Sequence, residues 1–581
     1  MNLPALALVL FFAQNTPQPA SVEGIVLKLG SSEPLAGAKV ELHAERTERL
    51  GPDRTPESLV STAVTSADGK FTLASVVPGT YRLTATRTNY VPAEYGQRTP
   101  TSEGIPITLS PGQRLTGIQL AMASAGSISG RIYDKDGEPV GRAQVQALRS
   151  IYKDGARVLT IVQSVETNDR GEYRIFWLAP GTYYVSAKPD IPQLPDLMLG
   201  PAGTTMSAVR VTDPARFGSY SQGSSAVVKK RVTKTGEVIE EVSIPVYYPG
   251  VPEAQAATPI PLAAGANLMG VDISIASGVV PALHIRGRLI DGTTGQPIPR
   301  MGVMAMPRSR DPLIVIPDGQ TDLNGNFDIA GVAPGAYFLV STTAKVSVIT
   351  PVEVGNSSLQ NIPIVAMPPV KLTGRFIVEG NSRTGTELRM QDLRVDRLTR
   401  VPDLLGIPLG GPSYNPPAQS DGSFTLDGVS PGDFRVSVRT GSPDAYVKSI
   451  RVGNADVLDA GLHIAGPPDA PLEIVIGVSG GRISGKLVNA RGESLSNRTV
   501  VLVPDARLRH RTDLYKSVAT DTAGAFRFQG IPPGDYELFA WESVETGAWQ
   551  DPNFIRPYEG RGKKVLINDN TDENLEVTVI P

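Results

Sequence analysis

The chain has 581 residues, of which 59 are Gly and 50 are Pro, and it contains no Cys. That much Gly and Pro excludes long helical bundles and coiled coils, and the lack of Cys excludes disulfides, thiolate nucleophiles and Cys-ligated metal sites. Lys and Arg total 55 against 58 Asp and Glu, so the net charge is -3 and the composition argues against nucleic acid or an anionic membrane as a partner. The length predicts about three to six domains.

The N-terminus resembles a signal peptide. An apolar run from Leu3 to Phe12 is too short to span a bilayer, which takes about 20 residues, and a polar, Pro-containing stretch follows it. We therefore expect residues 1–20 to be a signal peptide and the mature chain to be secreted or periplasmic, associated with a bacterial cell envelope, with no transmembrane segment after signal removal. Cleavage after Ala13 and cleavage nearer Ala20 both fit, and the alternative is that the true start codon lies elsewhere.

Internal repeats organise the rest of the chain. Five segments share a turn that carries Gly, an aromatic residue two positions later, and a Pro-Gly-x-aromatic tetrapeptide. The turn Gly and the Gly of the tetrapeptide are 10 residues apart in every segment. In chain order, the turn Gly, its aromatic and the tetrapeptide aromatic are Gly69, Phe71 and Tyr81; Gly171, Tyr173 and Tyr183; Gly325, Phe327 and Tyr337; Gly422, Phe424 and Phe434; and Gly524, Phe526 and Tyr536.

Each repeat also begins with Gly and an alternating strand, about 40–50 residues upstream of the turn. These strands start at Gly24, Gly130, Gly287, Gly374 and Gly485. Apolar and polar residues alternate again after each Pro-Gly, as half-buried strands require, and helical periodicity is absent. The turn Gly tolerates a positive φ and Pro-Gly presets the next reversal, so each repeat predicts a two-sheet antiparallel sandwich of about 80–100 residues.

The combined pattern resembles a known family. Gly-x-Val, Pro-Leu-x-Gly-Ala-x-Val, Thr-x-Asp-x-x-Gly-x-Phe and Pro-Gly-x-Tyr are similar to the carboxypeptidase regulatory-like domain, a transthyretin-like β-sandwich that is also grouped with carbohydrate-binding-like and Cna B-type folds. The first and fifth repeats match best, and the fourth lacks the Pro-Leu-x-Gly-Ala signature. The resemblance implies an all-β chain of five tandem transthyretin-like antiparallel β-sandwich domains, arranged as beads on a string.

Domain boundaries follow from the repeats. We expect sandwiches over residues 21–123, 124–280, 281–369, 370–480 and 481–581. The second carries a long extension over residues 189–277, including a basic, hairpin-like segment at residues 227–237. Because a structureless loop of that length is unusual, we expect added strands within it. The basic segment is interpreted as a solvated strand face rather than a binding patch.

Recognisable catalytic chemistry is missing. The four His residues, His43, His284, His463 and His510, are never followed three positions later by Glu, so the zinc motif of a metallocarboxypeptidase is absent. No Gly-x-Ser-x-Gly, P-loop or dinucleotide fingerprint occurs. Asp322 starts a turn rich in oxygen ligands, but the Gly spacing does not fit a calcium loop, so turn chemistry explains it better. We predict no catalytic, metal-binding or cofactor-binding residues. The alternative is an enzyme that uses an unrecognised carboxylate pair.

The fifth repeat carries an unusual set of aromatic residues. On the strand after its Pro-Gly, Phe539 and Trp541 occupy positions that alternate with the core, and Trp549 and Tyr558 follow. Outward aromatics stack on sugar rings and exposed apolar patches mark interaction sites, so these four are the candidate ligand-binding residues. The alternative is that the C-terminal segment folds back over Phe539 and Trp541 and extends the core.

These observations predict a secreted, non-catalytic multi-domain protein. Polysaccharide or a cell-surface glycan is the ligand that the resemblance implies. The alternatives are a structural or adhesive stalk with protein partners, and an accessory module of a separately encoded peptidase or outer-membrane complex. Fold by itself does not choose among them.

Overall fold

The structure is a computed structural model that describes residues 18–44, 59–102, 104–153, 155–188, 228–232, 238–309, 316–342, 347–380, 388–400 and 417–581. These residues are almost entirely β-strand, with one short α-helix, α1 (Pro552–Ile555), and a few turns of 3₁₀-helix. Most of the predicted signal peptide and the residues 189–227 of the extension lie outside the described residues. None of the described helices is long and apolar enough to cross a membrane.

Each repeat folds as two sheets that enclose one hydrophobic cluster, which confirms the all-β sandwich fold. In the first sandwich, β4-β1-β8 faces β3-β2-β5, with β6 and β7 also paired to β5. The strands are β1 (Ala20–Lys28), β2 (Lys39–Ala44), β3 (Leu59–Val64), β4 (Lys70–Val76), β5 (Gly79–Thr86), β6 (Ala93–Glu94), β7 (Ile107–Leu109) and β8 (Arg114–Met122).

The second sandwich has the most strands. The sheet β12-β9-β18, with β19 also on β9, faces β11-β10-β13-β16, with β17 also on β13. A further small sheet, β14-β15-β20, combines two strands of the described part of the extension, where added strands were expected, with β20 just after it. The strands are β9 (Gly126–Tyr133), β10 (Gln144–Lys153), β11 (Ala156–Glu166), β12 (Glu172–Leu178), β13 (Gly181–Lys188), β14 (Lys229–Val232), β15 (Val238–Ser243), β16 (Val246–Tyr247), β17 (Ile260–Leu262), β18 (Asn267–Leu268), β19 (Ile273–Ser274) and β20 (Val279–Pro281).

The third and fourth sandwiches follow the same plan. In the third, β24-β21-β27 faces β23-β22-β25-β26, and in the fourth, β30-β28-β35-β32-β33 faces β29-β31-β34. The strands are β21 (Leu283–Asp291), β22 (Gly302–Pro307), β23 (Asp318–Gln320), β24 (Asn326–Val332), β25 (Gly335–Thr342), β26 (Ser347–Val354), β27 (Leu359–Ala366), β28 (Val370–Glu379), β29 (Arg394–Arg400), β30 (Ser423–Val429), β31 (Gly432–Arg439), β32 (Tyr446–Val452), β33 (Ala455–Asp456), β34 (Leu462–Ile464) and β35 (Leu472–Gly477).

The fifth sandwich adds a helical segment to the plan. Its sheets are β39-β36-β42 and β38-β37-β40-β41. Between β40 and β41 lie two 3₁₀ turns, Ala548–Gln550 and Arg556–Tyr558, with α1 between them. The strands are β36 (Gly481–Val488), β37 (Thr499–Pro504), β38 (Lys516–Ala519), β39 (Ala525–Ile531), β40 (Gly534–Ala540), β41 (Lys563–Ile567) and β42 (Asp572–Thr578).

The repeated aromatics are core residues, which explains the sequence signature. The Tyr of the Pro-Gly-x-Tyr tetrapeptide buries its ring and donates its hydroxyl to a carbonyl four residues upstream. Tyr183 donates to Ala179 at 2.7 Å and Tyr536 to Pro532 at 3.0 Å. A buried Tyr needs such a partner for its hydroxyl, and the hairpin backbone supplies it. In the fourth repeat the buried Phe434 takes this place without a hydroxyl.

One pairing was not predicted. Most neighbouring strands are antiparallel, but the first strand of each sandwich also pairs in parallel with a strand near its end, as β1 does with β8 and β36 with β42. The repeated first-strand Gly permits this pairing. A Cβ at Gly24 would lie 2.3 Å from the Ile118 carbonyl oxygen on β8, and one at Gly485 would lie 1.9 Å from that of Leu575 on β42.

The sandwiches do not contact only their neighbours in the chain, as beads on a string would. Side chains link the first sandwich to the fifth, where Asn497 donates to the Gly96 carbonyl and Arg98 to the Glu542 carbonyl. The ring of Tyr152, on the second sandwich, lies 6.3 Å from that of Phe554. These contacts join segments that are hundreds of residues apart. The alternation of apolar and polar residues within single strands therefore could not predict them.

Candidate functional site

The four aromatic residues singled out in the fifth repeat lie together, but they are covered. Phe539 and Trp541 do alternate with Leu538 and Ala540, which belong to the sandwich core, so they lie on the outer face of the sheet. Exposure is only 1% at Phe539, 2% at Trp541 and 6% at Trp549. Tyr558 is half-buried against the same cluster.

The C-terminal segment provides the cover. The turns and helix over residues 548–558 fold back on the sheet, placing the rings of Phe554 and Tyr558 each 5.5 Å from that of Trp541. Phe539 stacks on Trp541 with an interplanar angle of 7°. The interpretation of these aromatics as an open stacking surface is therefore corrected: their alternation shows which face they occupy, and the burial of apolar area drives the segment over that face.

A different aromatic pair is exposed. Phe176 and Trp177, near the end of β12, are 42% and 62% exposed. Their ring centroids lie 5.0 Å apart with an interplanar angle of 79°, so the two rings form a corner. Trp177 is also in the left-handed region, with φ of 58°. That conformation is a genuine outlier for a bulky residue.

A β-bulge creates this conformation, and the bulge recurs in every repeat. The register between the first strand and the strand of the first aromatic shifts at the same place in all five sandwiches. The bulge residue has φ of 57° at Ser75, 58° at Trp177, 74° at Gly331, 76° at Gly428 and 57° at Gly530. Three repeats use the residue that favours positive φ, and one uses a small residue. Only the second repeat places a large side chain there.

Polar groups lie beside the exposed pair on the same face. Arg174, two residues before Phe176 on β12, places its guanidinium 3.4 Å from Ser127 Oγ and 3.4 Å from Asn267 Oδ1. Ser127 Oγ donates to Asn267 Oδ1 at 2.7 Å, which ties β9 to β18. We call Phe176, Trp177, Arg174, Ser127 and Asn267 the second-sandwich platform.

Sequence reasoning missed the platform, although a signal was present. The residue three positions before each Pro of the Pro-Gly pair is Ser75, Trp177, Gly331, Gly428 or Gly530. Aligning the five repeats shows the anomaly: the second repeat has Trp where three others have Gly and one has Ser. The alternation on the strand after Pro-Gly, which predicted the aromatics of the fifth repeat, does not extend to this position.

Titratable groups elsewhere form structural contacts. His284 lies between two carboxylates, with Nδ1 2.6 Å from Asp328 Oδ1 and Nε2 3.2 Å from Glu240 Oε2, and so links β21 and β24 to the extension strand β15. Burial alone would raise the pKa of Asp328, but hydrogen bonds from His284 and Arg286 outweigh it and lower that pKa. Within the described part of the chain, no three His, Asp or Glu side chains are grouped so as to hold a metal ion.

The Asp322 turn is explained by its own backbone. Asp322 Oδ1 accepts the N–H groups of Asn324 and Asn326, both at 2.8 Å. Bonds from Asn326 are the main reason that the pKa of Asp322 is lowered. These bonds cap the turn, which is the turn chemistry expected from the spacing.

A cleft of about 860 Å³ lies between the second and third sandwiches. Pro245, Pro252, Pro307 and Pro334 are among the residues that line it, together with Tyr184. The described lining contains Ser hydroxyls but no His that could activate one as a nucleophile. The cleft therefore offers shape without a recognisable catalytic group.

Comparison with known proteins bears on the first sandwich. Residues 21–123 match the model of the carboxypeptidase regulatory-like domain. This match confirms the resemblance inferred from the first repeat. It covers one of the five repeats, and no curated protein matches the chain.

Solved structures that match the chain include the Bacillus anthracis TIE protein and two pilins. The Bacillus anthracis TIE protein is 11% identical, with 97% of this chain and 73% of that chain covered and a TM-score of 0.14. A streptococcal ancillary pilin is 13% identical, with 52% and 99% covered and a TM-score of 0.18. GBS52, the minor pilin of Streptococcus agalactiae, is 12% identical, with 44% and 94% covered and a TM-score of 0.20. At these TM-scores the likenesses do not bear on function.

Proposed function

We propose that this protein is a secreted, non-catalytic scaffold of the bacterial cell envelope, in which five sandwiches over the predicted boundaries hold a carbohydrate-binding surface in a defined position. The observation that carries the proposal is the set of contacts made by the fifth sandwich. The fifth sandwich forms hydrogen bonds with the first and fourth sandwiches and packs against the second. Residues from the N-terminal and C-terminal sandwiches therefore meet.

The contact with the fourth sandwich is the most extensive in charge and hydrogen bonding. Arg482 donates two hydrogen bonds to the Asp444 carboxylate, one of them 2.9 Å long, and the two side chains are only 14% and 5% exposed. Asp569 Oδ1 accepts from Tyr446 and from Ser479, both at 2.9 Å. A bidentate Arg–carboxylate pair of this kind favours one orientation of the two sandwiches, because both of its N–H···O bonds form only in one geometry.

The contacts with the first and second sandwiches close the arrangement. Asn497 and Arg98 form the two bonds to backbone carbonyls that join the first and fifth sandwiches. On the second sandwich, backbone at Gly155 approaches Gln550 so closely that a Cβ would lie 2.8 Å from its carbonyl oxygen. Close backbone approach, aromatic packing and side-chain bonds together favour a defined shape over a flexible string.

A distance measurement tests the proposal. The chain has no Cys, so the variant Thr99→Cys with Ser543→Cys, which changes exposed neighbours of Arg98 and Glu542, takes two spin labels at those sites alone and keeps the contact itself. We expect a short, narrow distance distribution by electron paramagnetic resonance. An extended stalk would place three sandwiches between the labels and separate them by on the order of 100 Å. A broad or long distribution would contradict the scaffold and favour the stalk.

The control pair and the export prediction need separate measurements. Labels at the exposed Leu566 and Arg491, both on the fifth sandwich, give a distance that is independent of how the sandwiches are arranged.

N-terminal sequencing of protein recovered outside the cytoplasm tests secretion, which the apolar run at the N-terminus supports. Co-purification of an enzyme with the native protein would favour an accessory role instead.

A further inference from the structure

The geometry points to a carbohydrate-binding site on the second sandwich: the rings of Phe176 and Trp177 form the stacking surface, and Arg174 with Asn267 forms its polar edge, for an uncharged oligosaccharide or polysaccharide. This inference rests on the proposed function, since it locates the binding surface of the scaffold. It replaces the covered aromatics of the fifth sandwich as the site.

Backbone strain is the first argument. A non-Gly residue in the left-handed region is disfavoured, and such residues persist only where the surrounding structure enforces the conformation, often at functional sites. The fold does not need a large residue at the bulge, because Gly331, Gly428 and Gly530 occupy the same position at similar φ. Trp177 therefore destabilises its strand without a structural benefit at that position.

Exposure is the second argument. A large aromatic residue normally offsets such a cost by burying its ring. Trp177 leaves 62% of its surface exposed, and its neighbour Phe176 leaves 42%. In the other repeats the position of Phe176 is Ala74, Ala330, Asp427 or Gln529, so the second repeat has replaced two adjacent small or polar residues with exposed rings.

The neighbouring polar groups decide the ligand class. Sugar rings present an apolar C–H face to an aromatic ring and hydroxyls at their edges, so they require rings and hydrogen-bonding groups side by side. Arg174 and Phe176 are two residues apart on one strand and so lie about 7 Å apart, comparable to the width of one sugar unit. The Arg174 guanidinium has five N–H donors, and its contacts with Ser127 and Asn267 leave donors for hydroxyl oxygens.

The charges near the platform favour an uncharged sugar over an anionic one. Arg131, the next cation on this face, is bonded to Glu172. Arg174 is thus the single cation of the platform, and it already contacts two neutral oxygen atoms. An anionic polymer would require several unpaired cations along its path.

Tryptophan emission and calorimetry test the site in the mature full-length chain. Trp541 and Trp549 are buried, so a change in solvent-exposed emission reports on Trp177. We titrate the protein with cellohexaose, xylohexaose and chitohexaose, and expect saturable binding by at least one of them. The variant Trp177→Gly restores the residue of three other repeats. We expect it to weaken binding at least about tenfold, the size of one lost stacking contact, with an unfolding temperature that is unchanged or raised.

Matched variants separate the outcomes. Arg174→Ala should also weaken binding, whereas Leu566→Ala, an exposed apolar residue on the fifth sandwich, should leave it unchanged. No binding of any of the three sugars would overturn the inference, and so would equal affinity in Trp177→Gly. A protein ligand that is bound in place of sugars and lost in Trp177→Gly would overturn the sugar class. The spin-label distances are independent of these results, so they show separately whether the scaffold proposal fails.

Discussion

Two pairs of adjacent aromatic side chains lie on outer sheet faces of this protein, and they have opposite surroundings. Phe539 and Trp541 on the fifth sandwich are stacked and almost fully buried, whereas Phe176 and Trp177 on the second meet at a steep angle and are exposed. The first pair is covered by a segment that follows its own strand. No described residue covers the second pair in this way. A strand pattern therefore identifies an outer face, and only the rest of the chain decides whether solvent reaches it.

The backbone at the two pairs differs in a parallel way. Phe539 and Trp541 extend a regular alternation in which Leu538 and Ala540 point to the core. Trp177 lies at a β-bulge with positive φ. The covered pair has the conformation that packing favours, and the exposed pair has one that packing does not explain. We therefore expect the buried Phe539 and Trp541 to contribute to stability. The exposed Trp177 is the residue for which we propose contact with another molecule.

The largest expected effect is the loss of the covered pair. Trp541→Ala should lower the free energy of unfolding of the fifth sandwich by about 3–5 kcal/mol, because it removes a buried aromatic and leaves a cavity. Urea unfolding measures the change. Trp541→Phe is the matched control and should cost much less, since the buried indole N–H finds no acceptor among the described residues. An effect of Trp541→Ala below about 1 kcal/mol would contradict the burial of this pair.

The Arg482–Asp444 contact that holds the fifth sandwich against the fourth should be nearly as sensitive. Asp444→Ala leaves Arg482 buried without its partner, so we expect a loss of about 3 kcal/mol in the unfolding of these two sandwiches. Glu379→Ala is the control, because its partner Lys448 is 50% exposed and such surface pairs contribute about 0–1 kcal/mol. Equal effects of the two substitutions in urea unfolding would show that the Asp444 pair is not buried in solution.

At the exposed pair the sign should reverse. Trp177→Gly relieves the left-handed conformation and loses little burial, so we expect the second sandwich to gain about 0.5–1 kcal/mol in unfolding free energy. Ser75→Gly, at the matching bulge of the first sandwich, should have a smaller effect of the same sign. Calorimetry of the full chain follows both. A clear destabilisation by Trp177→Gly would mean that the Trp ring packs in solution and that the comparison fails.

The smallest effect is a pH dependence at the contact between the fourth and fifth sandwiches, where Tyr446 donates to Asp569. Burial, with a smaller part from the hydrogen bond to Asp569, raises the pKa of Tyr446 to about 12 from an ordinary value of 10.0. The neutral hydroxyl is thus favoured in the folded state, so its contribution to stability is complete below pH 10 and is lost as pH rises toward 12. Tyr446→Phe should make the stability less dependent on pH in that interval. An unchanged pH profile in the variant would show that this hydroxyl is accessible.

Much of the fold could be predicted because the repeats carry their own packing rules. The constant spacing from turn Gly to Pro-Gly, and the aromatics beside them, predicted strands and core residues such as Phe71 and Tyr183, which the structure buries. The parallel pairing of β1 with β8 could not be predicted, since alternation indicates which face a residue occupies and contains nothing about strand direction. The bulge at Trp177 was readable only by aligning the five repeats.

The sequence by itself determined the all-β class, the repeated sandwich, the identity of the core aromatics and the outer-face position of Phe539 and Trp541. These depend on neighbours within a few residues, through turn chemistry and a two-residue period. Tertiary structure alone decided that the segment 548–558 covers one aromatic pair, that the other remains exposed, and that residues as distant as Gly96 and Asn497 meet. Such contacts depend on surfaces brought together by the whole chain, because burial is a property of the assembled fold and not of any single strand.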